Sequence, residues 1–385
     1  MTYEDQFICL CSQLSPSKDD VKSLHQLVSF DLDWPYIVDT ASYHKVTPLV
    51  YNSIGKVSAP DIPDWFRQSL KKSCLFTIAR NLAHYSTLVF VLELFDKNNV
   101  QSIVFKGLAL AADIYGQIGM RTFGDLDMLV PRQDLRKAIL LLQREGFKTD
   151  IDLNLEQYKK LVAKSHHAVL VKDRAIIELH WELSGRYISQ GIQFKDVAGR
   201  GIDIDIEGRD VRSLGPEDLL VYLCLHGCRS YWLQLDMACG VNELIRKKKN
   251  LDWEQVFHIA REQGAEKMVV HGLQLVEHFW SVGLPAPVAK KTKKEMGVQK
   301  ATNWVADRMF DVSKKGVQPR YLEGVKYHYL IMDRFGDWFR YALRPLINPT
   351  HSDWQWLKLS APLSNLYYLL RPIRLAWKYL RKIFR

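Results

Sequence analysis

Asp125 and Asp127 stand one residue apart in the run GDLDMLV. On an extended strand, alternate side chains share a face, so both carboxylates point one way while Leu126 and Met128 point into a core. Two carboxylates held side by side repel one another unless a cation lies between them, and magnesium is the usual one. Upstream, Lys106-Gly107 ends a short apolar run and opens the segment LALAADIYG. Glycine lets backbone approach a ligand closely, and a new helix turns unpaired N–H groups and a positive dipole end toward an anion. Lys106 beside that turn could neutralise a phosphate. Downstream, AIIELHWEL places Glu178, His180 and Glu182 on one strand face and Ile177, Leu179 and Trp181 on the other.

Those residues need a sheet and helices to hold them. Ser102 to Phe105 reads as a buried strand, DLDMLV as a second, and HAVLVK and AIIELHWEL as two more joined by a turn at Asp173-Arg174. Pro131 stands near the start of a helix, QDLRKAILLLQREGF, that stops at Gly146. A further helix is expected over about 155–164. Residues 1–98 carry apolar residues at three- and four-residue spacing and read as helical, with Pro35, Pro48, Pro60 and Pro63 as punctuation. His44 and Lys45 fall there and read as a solvated helix face, with a cleft lining as the alternative. GIDIDIEGRDVRSL is strand-like; beyond it Pro216 to Gly227, Leu233 to Lys247 and Trp253 to Gly264 read as helices. PAPVAKKTKKEMG reads as a basic linker, and Pro372 as a break in the last helical stretch. The fold class expected is α+β: a small mixed sheet over 99–213, flanked by helical regions over 1–98 and 214–385.

Composition bounds the setting. At 385 residues the chain is too long for one compact core. A formal charge of +10 favours an anionic partner without choosing among nucleotide, nucleic acid and membrane surface. The six cysteines, Cys9, Cys11, Cys74, Cys224, Cys228 and Cys239, lack paired zinc spacing and read as buried free thiols of a reducing compartment. MTYEDQF is not a signal-peptide start, and no stretch of about 18 uncharged apolar residues appears, so a cytoplasmic protein without a transmembrane helix is expected.

Spacing alone proves little, as IDIDIE shows. Asp203 and Asp205 repeat the aspartate pattern but lack a preceding glycine turn and helix, and they read as a solvated edge strand protected by charge. Transfer of a nucleotidyl group needs a hydroxyl aligned with an α-phosphate, cations to carry the charge that builds up, and a donor-rich turn for the triphosphate. The order of lysine-glycine turn, paired aspartates and glutamate strand supplies that set.

At these residues the chain resembles the polymerase β-like nucleotidyltransferase superfamily, and within it a bacterial uncharacterised nucleotidyltransferase family. FKGLALA, Tyr115, Arg121, GDLDMLV, His166-His167, IELHWEL and LGPEDLLVYLCLHG carry the resemblance, with HKVTPLVYNSI near the start and LYYLLRPIRL near the end. The resemblance implies that Asp125 and Asp127 ligate two Mg²⁺ (or Mn²⁺), with Glu178 on one of them or acting as base toward the acceptor. It places Lys106 and Gly107 on the β- and γ-phosphates and Arg121 on the triphosphate. His180 and His167 are either acceptor-side residues or hydrogen-bonded strand histidines. The implied substrates are an NTP, with ATP favoured, and a small-molecule, sugar or protein hydroxyl; nucleic acid is not favoured. Leu108 departs from the glycine or serine that usually follows the first glycine, which motivates a second reading, a catalytically weak or inactive nucleotide-binding regulatory module. Arg371, Arg374, Lys378, Arg381, Lys382 and Arg385 could rest on an anionic membrane surface, the alternative being a terminal helix docked on the body.

Overall fold

In the computed structural model, described here apart from residues 58–60, 150–161, 163–164, 187–188, 312, 314, 348–355, 358–365 and 384–385, six strands form one mixed sheet. They are β1 (Ile103–Val104), β2 (Leu126–Leu129), β3 (His167–Lys172), β4 (Ala175–His180), β5 (Ile202–Ile206) and β6 (Arg209–Ser213), in the order β3-β4-β2-β1-β6-β5. β2 runs parallel to β4 and antiparallel to β1, while β3 and β5 lie at the two edges. The helix expected over 155–164 falls mostly outside the described residues.

Alternation along the strands divides the apolar residues between two cores. Val104, Leu126, Met128, Ile177 and Leu179 pack with Leu88, Val91 and Phe95 of the long Asp64–Lys97 helix and with the Leu135–Arg144 helix. Leu126 and Met128 thus lie in the core, as the pleat requires. Ile103, Phe105 and Leu129 face the other way, toward Tyr222 and its neighbours on the Pro216–Arg229 helix. Each of these side chains is buried to within a few per cent, worth roughly 1.5–3 kcal/mol for a Leu, Ile or Phe. The sheet is held on both faces, so the polar residues on it are placed by a stiff frame.

Three local expectations change. PAPVAKKTKKEMG is not a linker but contains a helix, Ala286–Lys294. Pro285 and Pro287 stand at its start, where a missing N–H costs nothing, and its lysines crowd the last turn, where they complement the helix dipole. Val288 and Thr292 are buried, and Gln274 Nε2 donates to the Thr292 carbonyl at 2.7 Å. Pro372 lies inside the Tyr367–Ile383 helix and does not break it. The Asp64–Lys97 helix is long and apolar enough to cross a membrane by length and composition alone, although Arg80 and Glu93 interrupt its apolar run. Its inward stripe packs against the sheet, and Asn81 on that stripe donates to the Arg121 carbonyl at 2.9 Å. Finally, His44 is buried and not on a solvated face.

β5 behaves as charge patterning predicts. It is an edge strand, and Asp203 is exposed with Arg212 3.4 Å away. All six cysteines are buried free thiols.

Candidate active site

Parallel pairing sets Asp127 of β2 opposite Glu178 of β4, and Leu129 opposite His180. This register puts one carboxylate from each strand on the same sheet face, next to the imidazole two residues further along β4. His180 Nε2 lies 3.3 Å from Asp127 Oδ1 and 3.3 Å from Glu178 Oε2. Lys106 Nζ reaches Asp127 Oδ2 at 3.3 Å. The Asp127 side chain is fully shielded from solvent, that of Lys106 is 14% exposed and that of Glu178 23%.

Lys106 gains this position through its backbone. It caps the Gly107–Asp113 helix with φ 60° and ψ −150°, a region that non-glycine residues seldom enter, and Gly107 follows at φ 31°. A Cβ on Gly107 would come within 3.2 Å of the Asp125 carbonyl, so the turn needs glycine on two counts. Leu108 is 1% exposed and belongs to the sheet core. Its side chain points away from the site, and only its backbone belongs to the turn.

The charges are strongly coupled. Burial pushes Asp127 up, but Lys106 and then His180 outweigh it and hold the carboxyl well below its ordinary range. Burial likewise pulls Lys106 and His180 down, and Asp127 lifts both back above their usual values. Glu178 is lowered: burial raises it, but His180 prevails. Asp125 is raised by burial and by Asp127 beside it. At neutral pH the fully buried carboxylate is therefore ionised, with the Lys106 ammonium as its nearest countercharge.

These residues fit a divalent cation. Asp127 Oδ2 is buried and accepts no hydrogen bond, despite its ionic contact with Lys106. Ligand atoms of Asp127, Glu178 and His180 lie within 4.8 Å of one another. Two carboxylates suit a hard cation such as Mg²⁺ or Mn²⁺, whereas an imidazole favours a later transition metal. Asp125 stands just outside this group and acts on Asp127, Lys106 and Glu178 electrostatically.

Arg121 is 7% exposed, with its Nη2 3.4 Å from Asp236 Oδ2. Its Nε and Nη1 have no hydrogen-bond partner, an arrangement that leaves donors for an anion. Sequence reasoning missed Asp236. The signal was a carboxylate on the apolar Leu235–Lys247 helix, where burial demands a partner. His44 belongs with it: Leu235 N–H donates to His44 Nδ1 at 3.2 Å, and Asp236 N–H donates to the His44 carbonyl at 3.3 Å. Lys45, its neighbour, lines a cleft of about 750 Å³ with Arg80, Thr122, Gly124 and Arg174. That cleft reaches the residue next to Asp125.

Glu182 leaves the carboxylate face. β4 ends at His180, and Glu182 is buried against Arg186 with Oε1 2.7 Å from Nη2. His167 remains near the site, its ring stacked on His180 at 5.1 Å.

No curated protein matches the chain. Among solved structures, the chain is similar to the antibiotic-resistance factor ANT(2″)-Ia, at 13% identity over 47% of this chain and 91% of that one, with a TM-score of 0.35. So loose a superposition carries no argument about the site. The model of a family described as uncharacterised nucleotidyltransferase matches residues 31–281, which span the whole sheet and every site residue named above. The chain belongs to the uncharacterised nucleotidyltransferase family.

Proposed function

We propose that this transferase moves a nucleoside monophosphate from an NTP to a hydroxyl of an acceptor, releasing pyrophosphate. The observation that carries the reading is the register of Asp127 opposite Glu178, with Lys106 and Asp125 beside them. Asp125, Asp127 and Glu178 would hold Mg²⁺ or Mn²⁺, with His180 as a further donor. Such an ion, when bound, supplies positive charge to the phosphate oxygens.

The chain's own residues do the rest. Lys106, whose Nζ lies 3.3 Å from Asp127 beside the Gly107 turn, would supply positive charge to the β- and γ-phosphates. Arg121, anchored by Asp236, offers its unpartnered N–H groups to the same anion. Lys45, Arg80 and Arg174 make the adjoining cleft attractive to a polyanion. ATP is the favoured donor, and a small molecule, sugar or protein is the favoured acceptor class. A cytoplasmic setting is part of the proposal, and buried free thiols suit a reducing compartment.

Incubation with labelled NTPs and Mg²⁺ or Mn²⁺, followed by mass spectrometry, tests it. An NMP adduct absent from an Asp125→Ala/Asp127→Ala variant is expected; if neither nucleotide nor metal binds by calorimetry, the reading is wrong. Leu108 favours a second reading, a nucleotide-binding module without turnover, because its buried side chain gives the turn no hydroxyl. Nucleotide binding with no pyrophosphate release across a broad acceptor screen would select it.

A further inference from the structure

Two late helices are patterned the wrong way round for a surface that meets only water. On the Phe335–Ile347 helix the buried residue, among those described, is Asp337, while Phe335 is 68% exposed. Phe339, one turn further on, is exposed as well. On the Tyr367–Ile383 helix the buried residues, among those described, are Tyr367 and Arg371, while Ile373 is 64% exposed. Trp377, again one turn on, is also exposed. An amphipathic helix on a globular body ordinarily buries its apolar stripe and wets its charges. Each of these helices instead buries a charged residue and leaves apolar residues one turn apart in the open. The last helix does dock on the body, but by the side that carries Tyr367 and Arg371, with Ile373 and Trp377 outward.

The outward apolar residues are gathered together. Phe335 and Phe339 stack with ring centroids 6.2 Å apart. Trp338 lies 5.1 Å from Phe335 and 5.3 Å from Tyr329, which is exposed on the preceding Tyr321–Ile331 helix. That helix packs on Phe335–Ile347, which packs in turn on Tyr367–Ile383.

Charge indicates what covers this surface. Residues 320–385 hold twelve Lys or Arg against four Asp or Glu, so eight of the ten net positive charges of the chain fall there. Lys326, Arg334 and Arg340 are exposed and adjoin the aromatic cluster in sequence. A second copy laid on the same face would bring two such fields together, and repulsion opposes it. A nucleic acid would be met by outward guanidinium groups, whereas Arg371 is turned inward and Ile373 outward. An anionic lipid surface suits both features. Its acyl boundary takes the apolar side chains, its headgroup layer suits aromatic rings, and its phosphates attract the flanking cations.

We propose that the Tyr321–Ile331, Phe335–Ile347 and Tyr367–Ile383 helices dock this protein on an anionic lipid bilayer, lying in the interfacial plane with Phe335, Phe339, Ile373 and Trp377 toward the acyl chains. The proposal is independent of the nucleotidyltransferase reading.

Co-sedimentation of the full chain tests it, with vesicles of phosphatidylcholine alone or with an equal part of phosphatidylglycerol. The anionic vesicles should carry the protein down, neutral ones at least about 10-fold less well, and added salt should weaken the binding. Phe335→Ser/Ile373→Ser should lower partition onto anionic vesicles by about 10-fold, through apolar area withheld from the lipid. Its melting temperature should stay near native, because both side chains are exposed. Brominated lipid in the anionic vesicles should quench tryptophan emission, and Trp377→Phe should remove part of that quenching. Native protein left in the supernatant with anionic vesicles overturns the proposal. So does a Phe335→Ser/Ile373→Ser variant that binds as tightly as native, which would reduce the contact to charge alone. A native dimer in light scattering that this variant dissolves, with no vesicle binding, assigns the face to a second copy and overturns it too.

Discussion

Lys106→Met separates the two partners of Asp127 and gives the sharpest test of the electrostatic account. Methionine keeps the unbranched stem and, like lysine, is not glycine, so the unusual backbone at this position is retained. What goes is an ammonium 3.3 Å from a carboxylate with no solvent exposure. At an effective dielectric of about 20, charges at that distance attract by about 5 kcal/mol. Lysine's own desolvation is recovered on substitution, so the expected loss of stability is about 3–5 kcal/mol, the scale for orphaning a buried charge. Taking ~2.1 cal/mol/K per residue for the unfolding entropy, a chain of 385 residues should melt about 4–6 °C lower. Thermal melts read this directly. Mg²⁺ or Mn²⁺ should raise the melting temperature of the variant more than that of the native protein, because no ammonium competes for Asp127. Lys106→Met/Asp127→Asn should be less destabilised than Lys106→Met alone, a coupling that a double-mutant cycle measures. A variant as stable as the native protein in chelator, or equal metal effects on both, would refute the reasoning.

The other expectations are simpler. Leu108→Ala should cost about 2–5 kcal/mol in denaturant unfolding, as for a core leucine, while ATP affinity by calorimetry stays near native, since the side chain faces the sheet core. Asp203→Ala/Asp205→Ala should change stability by less than about 0.5 kcal/mol, the scale for exposed positions, and should leave pyrophosphate release intact. Burial holds His44 down to about 3. With a folded value below the unfolded one, the unfolded chain takes up the proton first, so stability is complete above about pH 6.5 and falls as pH drops below it. At pH 5 the loss from such a histidine is about 2 kcal/mol, and His44→Asn should flatten the fall of melting temperature between pH 7 and 5.

The site could be read from the sequence to the extent that it lies on strands. A period of two fixes which side chains share a face, so the common face of Asp125 and Asp127 and the core positions of Leu126 and Met128 follow from spacing. Glu178 came from its apolar neighbours Ile177 and Leu179. Its register against Asp127 did not, because pairing between β2 and β4 joins residues about 50 apart and leaves no local trace. Asp236 and His44 were hidden for the same reason: each has its partner on a distant helix, and each looks like an ordinary polar residue in its own segment. Arg229 lies on the Pro216–Arg229 helix and meets His166 only after the sheet is packed. The Ala286–Lys294 helix was misread because proline was taken as punctuation, where at a first turn it starts a helix.

Which phosphorus the protein attacks decides the central claim. ATP labelled at the α- or γ-phosphorus, incubated with Mg²⁺ or Mn²⁺, reports it in one chromatogram. The account predicts that the α-label goes to AMP or an AMP adduct, that the γ-label goes to pyrophosphate, and that both products vanish in Asp125→Ala/Asp127→Ala. A γ-label found on an acceptor, or in free phosphate with ADP left behind, would contradict it.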